Sequence, residues 1–172
     1  MAAPAPGETI GLGRHGLAMR PTEAGDAAFV RHLFKTARAE SFAMAGLPPA
    51  MLDTLLEQQF RAQSAGYAAQ FPDAASLLIV QRDEPIGRLI LHRAAQRWHI
   101  IDILLLPTER GHGIGTAIID ALEADARQEG VGALTLSVLA TNVAAHRFYL
   151  RQGFAESGQT GAAHIAMRKD LA

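Results

Sequence analysis

The chain has 172 residues, 49% of them apolar and 19% charged, with a formal charge of −1. That is the make-up of a globular protein with one sizeable core, since domains most often run to about 100–150 residues. The near-neutral balance, with no block of like charge, gives no basis for a general attraction to nucleic acid or to an acidic membrane. The absence of Cys excludes disulfides, thiolate metal sites and a cysteine nucleophile.

The first sixteen residues carry Pro, Gly and Ala without the apolar run of about 7–15 residues that a signal peptide requires. They are expected to be a flexible N-terminal tail (1–16) on a cytoplasmic protein, ahead of a single domain over 17–172. The longest apolar runs, Leu77–Val80 and Ile103–Leu106, fall far short of the ~20 residues of a membrane span.

A short strand is predicted over Leu17–Arg20, ended by Pro21. Phe29, Leu33, Phe34 and Ala37 then recur at helical spacing behind Asp26, a natural N-cap. Pro48-Pro49 opens a second helix, Met51 to about Tyr67. After Phe71-Pro72 the pattern turns to strands. Leu77–Gln81 and Ile86–His92 form a hairpin through Asp83-Glu84-Pro85, and Trp98–Leu106 is apolar enough to be central. Gly113 to Glu129 carries a helical apolar stripe stopped at Gly130. Leu134, Leu136 and Val138 alternate as a strand, Asn142 to Gln152 is helical, and Phe154–Gln159 with His164–Arg168 form a closing hairpin around Gly161. The order predicts a mixed α/β (α+β) sheet of about seven mostly antiparallel strands flanked by four helices.

The segment Arg110-Gly111-His112-Gly113-Ile114-Gly115-Thr116 leaves the central strand and opens a helix. Glycines at alternate positions clear side chains from a helix N-terminus, whose free amides and positive dipole end suit a phosphate or diphosphate. No Gly-Lys-Ser/Thr follows, which excludes a Walker loop, and the third glycine of a dinucleotide fingerprint is missing. A tight strand-to-helix turn with no ligand is the plain alternative.

Here the sequence resembles the GNAT superfamily of acyl-CoA-dependent N-acetyltransferases, whose signature Gln/Arg-x-x-Gly-x-Gly/Ala is met by Arg110, Gly113 and Gly115. A second family pattern, Asn-x-x-Ala-x-x-φ-Tyr-x-x-x-Gly-Phe, is met downstream by Asn142, Ala145, Phe148, Tyr149, Gly153 and Phe154. Independently of the family, Asn142, Ala145 and Tyr149 share one helix face within roughly a 60° arc. A buried structural tyrosine is the alternative at that position.

The resemblance implies acetyl-CoA as cosubstrate and an amine as acceptor. It implies that residues 110–116 hold the diphosphate and that the backbone of Leu104, Leu105 and Leu106 pairs with the pantetheine arm, an amide near Leu105 stabilising the oxyanion. Asn142 and Tyr149 complete the cofactor site, with Tyr149 as general acid. A lysine-like amine costs about 4.6 kcal/mol to neutralise at pH 7, so a base or water relay is needed. His99, sharing strand parity with Ile101, Ile103 and Leu105, is the first candidate. Asp102 is the second, and alternation puts it on the opposite face. Acceptors in the family bind between the first two helices and the last hairpin, which draws in Glu40, Glu57 and Tyr67. No metal is expected, because His92 and His99 are seven apart and no other ligand pair has useful spacing. Many family members form homodimers. A catalytically silent acyl-CoA-binding domain on the same fold is the competing function.

Overall fold

A computed structural model describes residues 9–13 and 16–171. Its elements are β1 (Ile10–Gly11), β2 (Leu17–Pro21), α1 (Ala27–Ala39), α2 (Pro49–Gln70), β3 (Ala75–Gln81), β4 (Glu84–Arg93), β5 (Arg97–Leu105), α3 (Ile114–Gln128), β6 (Ala133–Leu139), α4 (Val143–Arg151), β7 (Ala155–Thr160) and β8 (His164–Asp170). The eight strands form one sheet in the order β1-β2-β3-β4-β5-β6-β8-β7. Every neighbouring pair is antiparallel except β5 and β6.

The additional strand is β1. Ile10 and Gly11 pair with Met19 and Ala18 of β2, and Leu12 is buried in the core. Residues 10–12 of the expected tail are therefore part of the sheet edge, because Ile10 and Leu12 bring apolar surface to it. The remainder of that tail, 1–8 and 14–15, lies outside the described residues. The β3–β4 turn is also shorter than expected. Arg82 (φ 51°) and Asp83 (φ 69°) make a two-residue turn with both central residues left-handed, and Glu84 and Pro85 already belong to β4.

The two faces of the sheet are covered differently. Leu77, Ile79, Leu89, Leu91, Trp98, Ile100, Leu134 and Leu136 pack with Ile114, Ile118, Ile119 and Leu122 of α3. On the other face Leu78 and Val80 meet Val30 and Phe29 of α1 and Phe60 of α2. Asp26 acts less as a helix cap than as a clamp, paired with Arg20 at 2.8 Å and accepting the Glu23 amide at 2.8 Å.

One irregularity decides where the polar residues of β5 point. Leu91 pairs with Ile100 but Ile90 pairs with Asp102, so Ile101 is an extra residue. This β-bulge shifts the phase of the strand. Trp98 and Ile100 before it, and Ile103 and Leu105 after it, all reach the α3 core. Strict alternation placed Asp102 opposite to His99, with His99 in step with Ile103 and Leu105. The bulge reverses this: His99 and Asp102 share the face of α1 and α2.

Candidate active site

β5 and β6 run side by side only from Arg97 and Ala133 to Ile100 and Leu136. Beyond the bulge β5 stays with β4 as far as Leu105, while β6 stays with β8 as far as Leu139. The two parallel strands therefore part, leaving a wedge in the middle of the sheet. The Leu106 amide donates to the Ile86 carbonyl at 2.9 Å. A β-carbon at Gly87 would lie 2.5 Å from the Leu104 carbonyl oxygen, which places that oxygen on the β4 side as well. Antiparallel groups alternate, so the amide of Leu105 turns the other way, toward the wedge. Of Leu104, Leu105 and Leu106, the middle residue alone offers its amide there, a correction to the expectation for the other two.

The glycine turn follows directly. Gly111 (φ 78°) and Gly113 (φ 76°) adopt left-handed backbone that L-residues avoid, and Gly113 caps α3. Residues 110–113 are exposed, with His112 between the glycines. The amides of Ile114, Gly115 and Thr116 have no carbonyl one turn earlier and point out of the helix end. Gly115 has a packing reason as well: a β-carbon there would sit 3.0 Å from Cζ of Phe148 on α4. The Thr116 hydroxyl accepts from Gln152 at 3.2 Å, a second tie between α3 and α4. Arg110 pairs with Glu40 at 2.9 Å.

Asn142 caps α4, its Oδ1 accepting the Ala145 amide at 3.1 Å. Its side chain is engaged in holding the helix, which in turn holds Tyr149. The Tyr149 ring packs edge-on to Phe148 and Phe154, with centroids at 5.1 and 5.6 Å. Among the described residues its hydroxyl makes no hydrogen bond. Burial, then the negative charge of Asp102, pushes the phenol well above its ordinary value of 10. Tyr149 belongs to the α3 side of the sheet and Asp102 to the other side.

Asp102 sits 3.7 Å from an Nη of the buried Arg88 on β4. Burial raises its carboxyl above the usual range, and the charges of Arg88 and Arg38 offset part of that. The chain's other tyrosine, Tyr67 on α2, is pushed up to about 12 by burial and by the same Asp102 charge. His99 lies further back: Nδ1 is 2.9 Å from the Thr135 hydroxyl on β6, at the end where the strands are still paired, and its ring stacks on Phe71 at 5.6 Å. Burial, Arg97 and His92 keep it below the ordinary histidine value of 6.5, hence neutral at pH 7. Of the acidic acceptor candidates, Glu57 is occupied by Lys35, Arg31 and Arg61, and Glu40 by Arg110.

The fold, the wedge and the glycine turn coincide with a match to the acetyltransferase (GNAT) family model over residues 31–154. The chain belongs to the GNAT family. Aminoalkylphosphonate N-acetyltransferase of Salmonella typhimurium is 33% identical over 112 residues, covering 59% of this chain and 71% of that protein. Among solved structures, PaiA N-acetyltransferase of Thermoplasma acidophilum, determined with coenzyme A, has a TM-score of 0.70 at 16% identity, covering 90% of this chain and 98% of that one. YncA of Salmonella typhimurium, determined with acetyl-CoA, has a TM-score of 0.58 at 18% identity, covering 92% and 95%. These two share the GNAT fold with the chain.

Within this GNAT domain, sequence reasoning did not single out Arg88 or Arg38, which the fold places near Asp102. A signal for Arg88 was present: it is the one charged residue inside Ile86-Gly87-Arg88-Leu89-Ile90-Leu91, and a cation amid such a run requires a partner. Nothing in the sequence marks Arg38, whose importance depends on how α1 crosses the sheet.

Proposed function

We propose that this GNAT acetyltransferase moves the acetyl group of acetyl-CoA to the primary amine of a small acceptor, with residues 10–12 and 17–172 belonging to one catalytic domain in the cytoplasm. The observation that carries it is the wedge itself, opened where β5 and β6 stop pairing after Ile100 and Leu136, with Tyr149 on its α3 side. The amides of residues 111–116 receive the diphosphate, and the Leu105 amide faces the thioester oxygen as it gains negative charge. Asp102, rather than the recessed His99, takes the proton that the acceptor amine loses as its nitrogen bonds to the acetyl carbon. His99, neutral and tied to Thr135, holds the back wall. The C–S bond breaks toward Tyr149. A phenol raised by burial is a poor acid against a thiol of pKa ~8.5, so Tyr149 donates a hydrogen bond to the departing sulfur, and solvent completes protonation.

The Salmonella typhimurium relative makes an amine bearing a phosphonate the first acceptor to test. Thiol release from acetyl-CoA with a panel of primary amines tests the reaction. Amine-dependent thiol release supports acetyl transfer. Acetyl-CoA binding with no release for any amine would point to a silent binding domain instead.

A further inference from the structure

Arg31, Lys35, Arg38 and Arg61 are the arginines and lysines on α1 and α2. Arg31, Lys35 and Arg61 each meet Glu57, and Lys35 also meets Asp53. Arg38 has no carboxylate partner among the described residues. Its guanidinium lies over the Phe34 ring at 5.6 Å, and its Nε is buried without a hydrogen-bond partner. Across on β4, Arg88 is 9% exposed and its Nε is buried and unpartnered too. Its contact with Asp102, at 3.7 Å, is longer than a hydrogen bond. A buried cation and a half-buried one thus lie on the face of the sheet that α1 and α2 cover, with one carboxylate, Asp102, beside Arg88. Leaving buried charged donors unsatisfied is costly, so such donors point to a ligand that satisfies them.

We infer that Arg38 and Arg88 form an anion-binding end of the acceptor pocket, so that the preferred acceptor is a short primary amine carrying a phosphonate, phosphate or carboxylate a few bonds from its nitrogen. This rests on the acetyl-transfer mechanism for the other end, where Asp102 meets the amine. The charges then match in order: the guanidinium groups take the oxyanion and the carboxylate takes the ammonium before it is deprotonated. Guanidinium forks present parallel N–H donors to such oxygens, and two of them fix the distance from anion to nitrogen.

Ethylphosphonate, which has an anion but no amine, is the probe for binding. Titration calorimetry should show it binding the wild-type protein in the presence of coenzyme A. Arg38→Gln should weaken binding at least about 10-fold, the loss of one charge-assisted hydrogen bond. Arg61→Gln, on the exposed side of α2, serves as control and should leave binding unchanged. In turnover, two-carbon primary amines ending in phosphonate, carboxylate or hydroxyl should rank with the anions above the neutral amine. Arg38→Gln should lower the anionic-to-neutral ratio of kcat/KM by a similar factor, chiefly through KM. Arg88→Gln should act alike, and because Arg38 is only half-buried its variant keeps the test sound if the Arg88 variant does not fold. The inference is overturned if ethylphosphonate does not bind, or if Arg38→Gln leaves its affinity unchanged or lowers kcat/KM for all three amines equally. Binding that depends on Arg38 without acetylation of any amine would uphold the anion site and sink the transfer reaction.

Discussion

A β-carbon at Gly115 would come within 3.0 Å of Cζ of Phe148, so the last glycine of the cofactor turn and the aromatic ring preceding Tyr149 are fitted to each other. The two sequence motifs are thus one packing unit, α4 lying against the first turn of α3. Gly115→Ala brings two opposing effects. Helix propensity favours Ala by up to about 1 kcal/mol, whereas forcing a methyl into a filled contact costs about 1–3 kcal/mol. The expected result is no gain in melting temperature, or a loss of a few degrees, with weaker coenzyme A binding. A clear rise in Tm would show that Phe148 does not press on this position.

Gly113 makes a sharper case, because its φ of 76° is left-handed whatever space surrounds it. Gly113→Ala should cost about 1–2 kcal/mol and reduce acetyl-CoA affinity, since the amides after it re-aim. Denaturant melts paired with coenzyme A titration measure both. Unchanged affinity alongside lost stability would separate the turn from the diphosphate.

Removing the Tyr149 hydroxyl should divide stability from rate. The hydroxyl has no hydrogen-bond partner among the described residues, so Tyr149→Phe leaves no orphaned group and should not lower Tm. Turnover should fall about 100-fold, a typical contribution for a positioned proton donor, with the acetyl-CoA KM nearly constant. Because the phenol is raised above 10, the wild-type rate should also show no alkaline decline below pH 10. Wild-type turnover in the variant removes Tyr149 from the chemistry.

His99 predicts an acid sensitivity of folding. The unfolded chain protonates this ring near 6.5, while burial, Arg97 and His92 hold the folded ring lower. Between those two values the unfolded state binds more protons, so stability falls as the pH drops through that window and levels off below the folded value. Urea melts from pH 7.5 to 5 should show the wild type losing stability relative to His99→Gln. A constant difference over that range would contradict the placement of His99 against Phe71 and Thr135.

Away from the site, Lys169 on β8 bonds to Glu123 of α3 and to the Gln152 carbonyl at 2.6 Å. Glu123 is 7% exposed. Glu123 keeps Arg127 at 3.1 Å when Lys169 is removed, so the loss falls below the about 3–5 kcal/mol of a fully uncompensated buried charge. Lys169→Met should therefore cost about 1–3 kcal/mol, the loss of hydrogen bonds to a charged group, and lower Tm by roughly 2–12 °C at about 2–4 °C per kcal/mol, while the purified folded variant keeps its acetyl-CoA affinity. A shift of a degree or less would mean that solvent screens the pair.

Much of this arrangement was legible because it is local. Apolar periodicity located α1 and α3 and Pro48-Pro49 the start of α2, while the family resemblance singled out Gly113, Gly115 and Tyr149. What was not legible depends on contacts between strands. The bulge at Ile101 follows from how β4 and β5 pair, and a parity rule applied to β5 by itself put Asp102 on the wrong face. β1 was overlooked because two residues carry no period; only its pairing with Met19 and Ala18 makes it a strand. The turn at Arg82-Asp83 lacks the glycine that usually signals a two-residue hairpin, so the proline after it drew the boundary too late. Arg38 acquires meaning only once Arg88 lies across from it.

The central claim is that the amides following Arg110 hold a diphosphate so that the thioester enters the wedge between β5 and β6 beside Tyr149. A crystal structure with coenzyme A tests it most directly. The diphosphate should rest on residues 111–116, with the thiol sulfur within about 3.5 Å of the Tyr149 hydroxyl. A ligand bound elsewhere, or a thiol held away from Tyr149 with the wedge closed, contradicts the account.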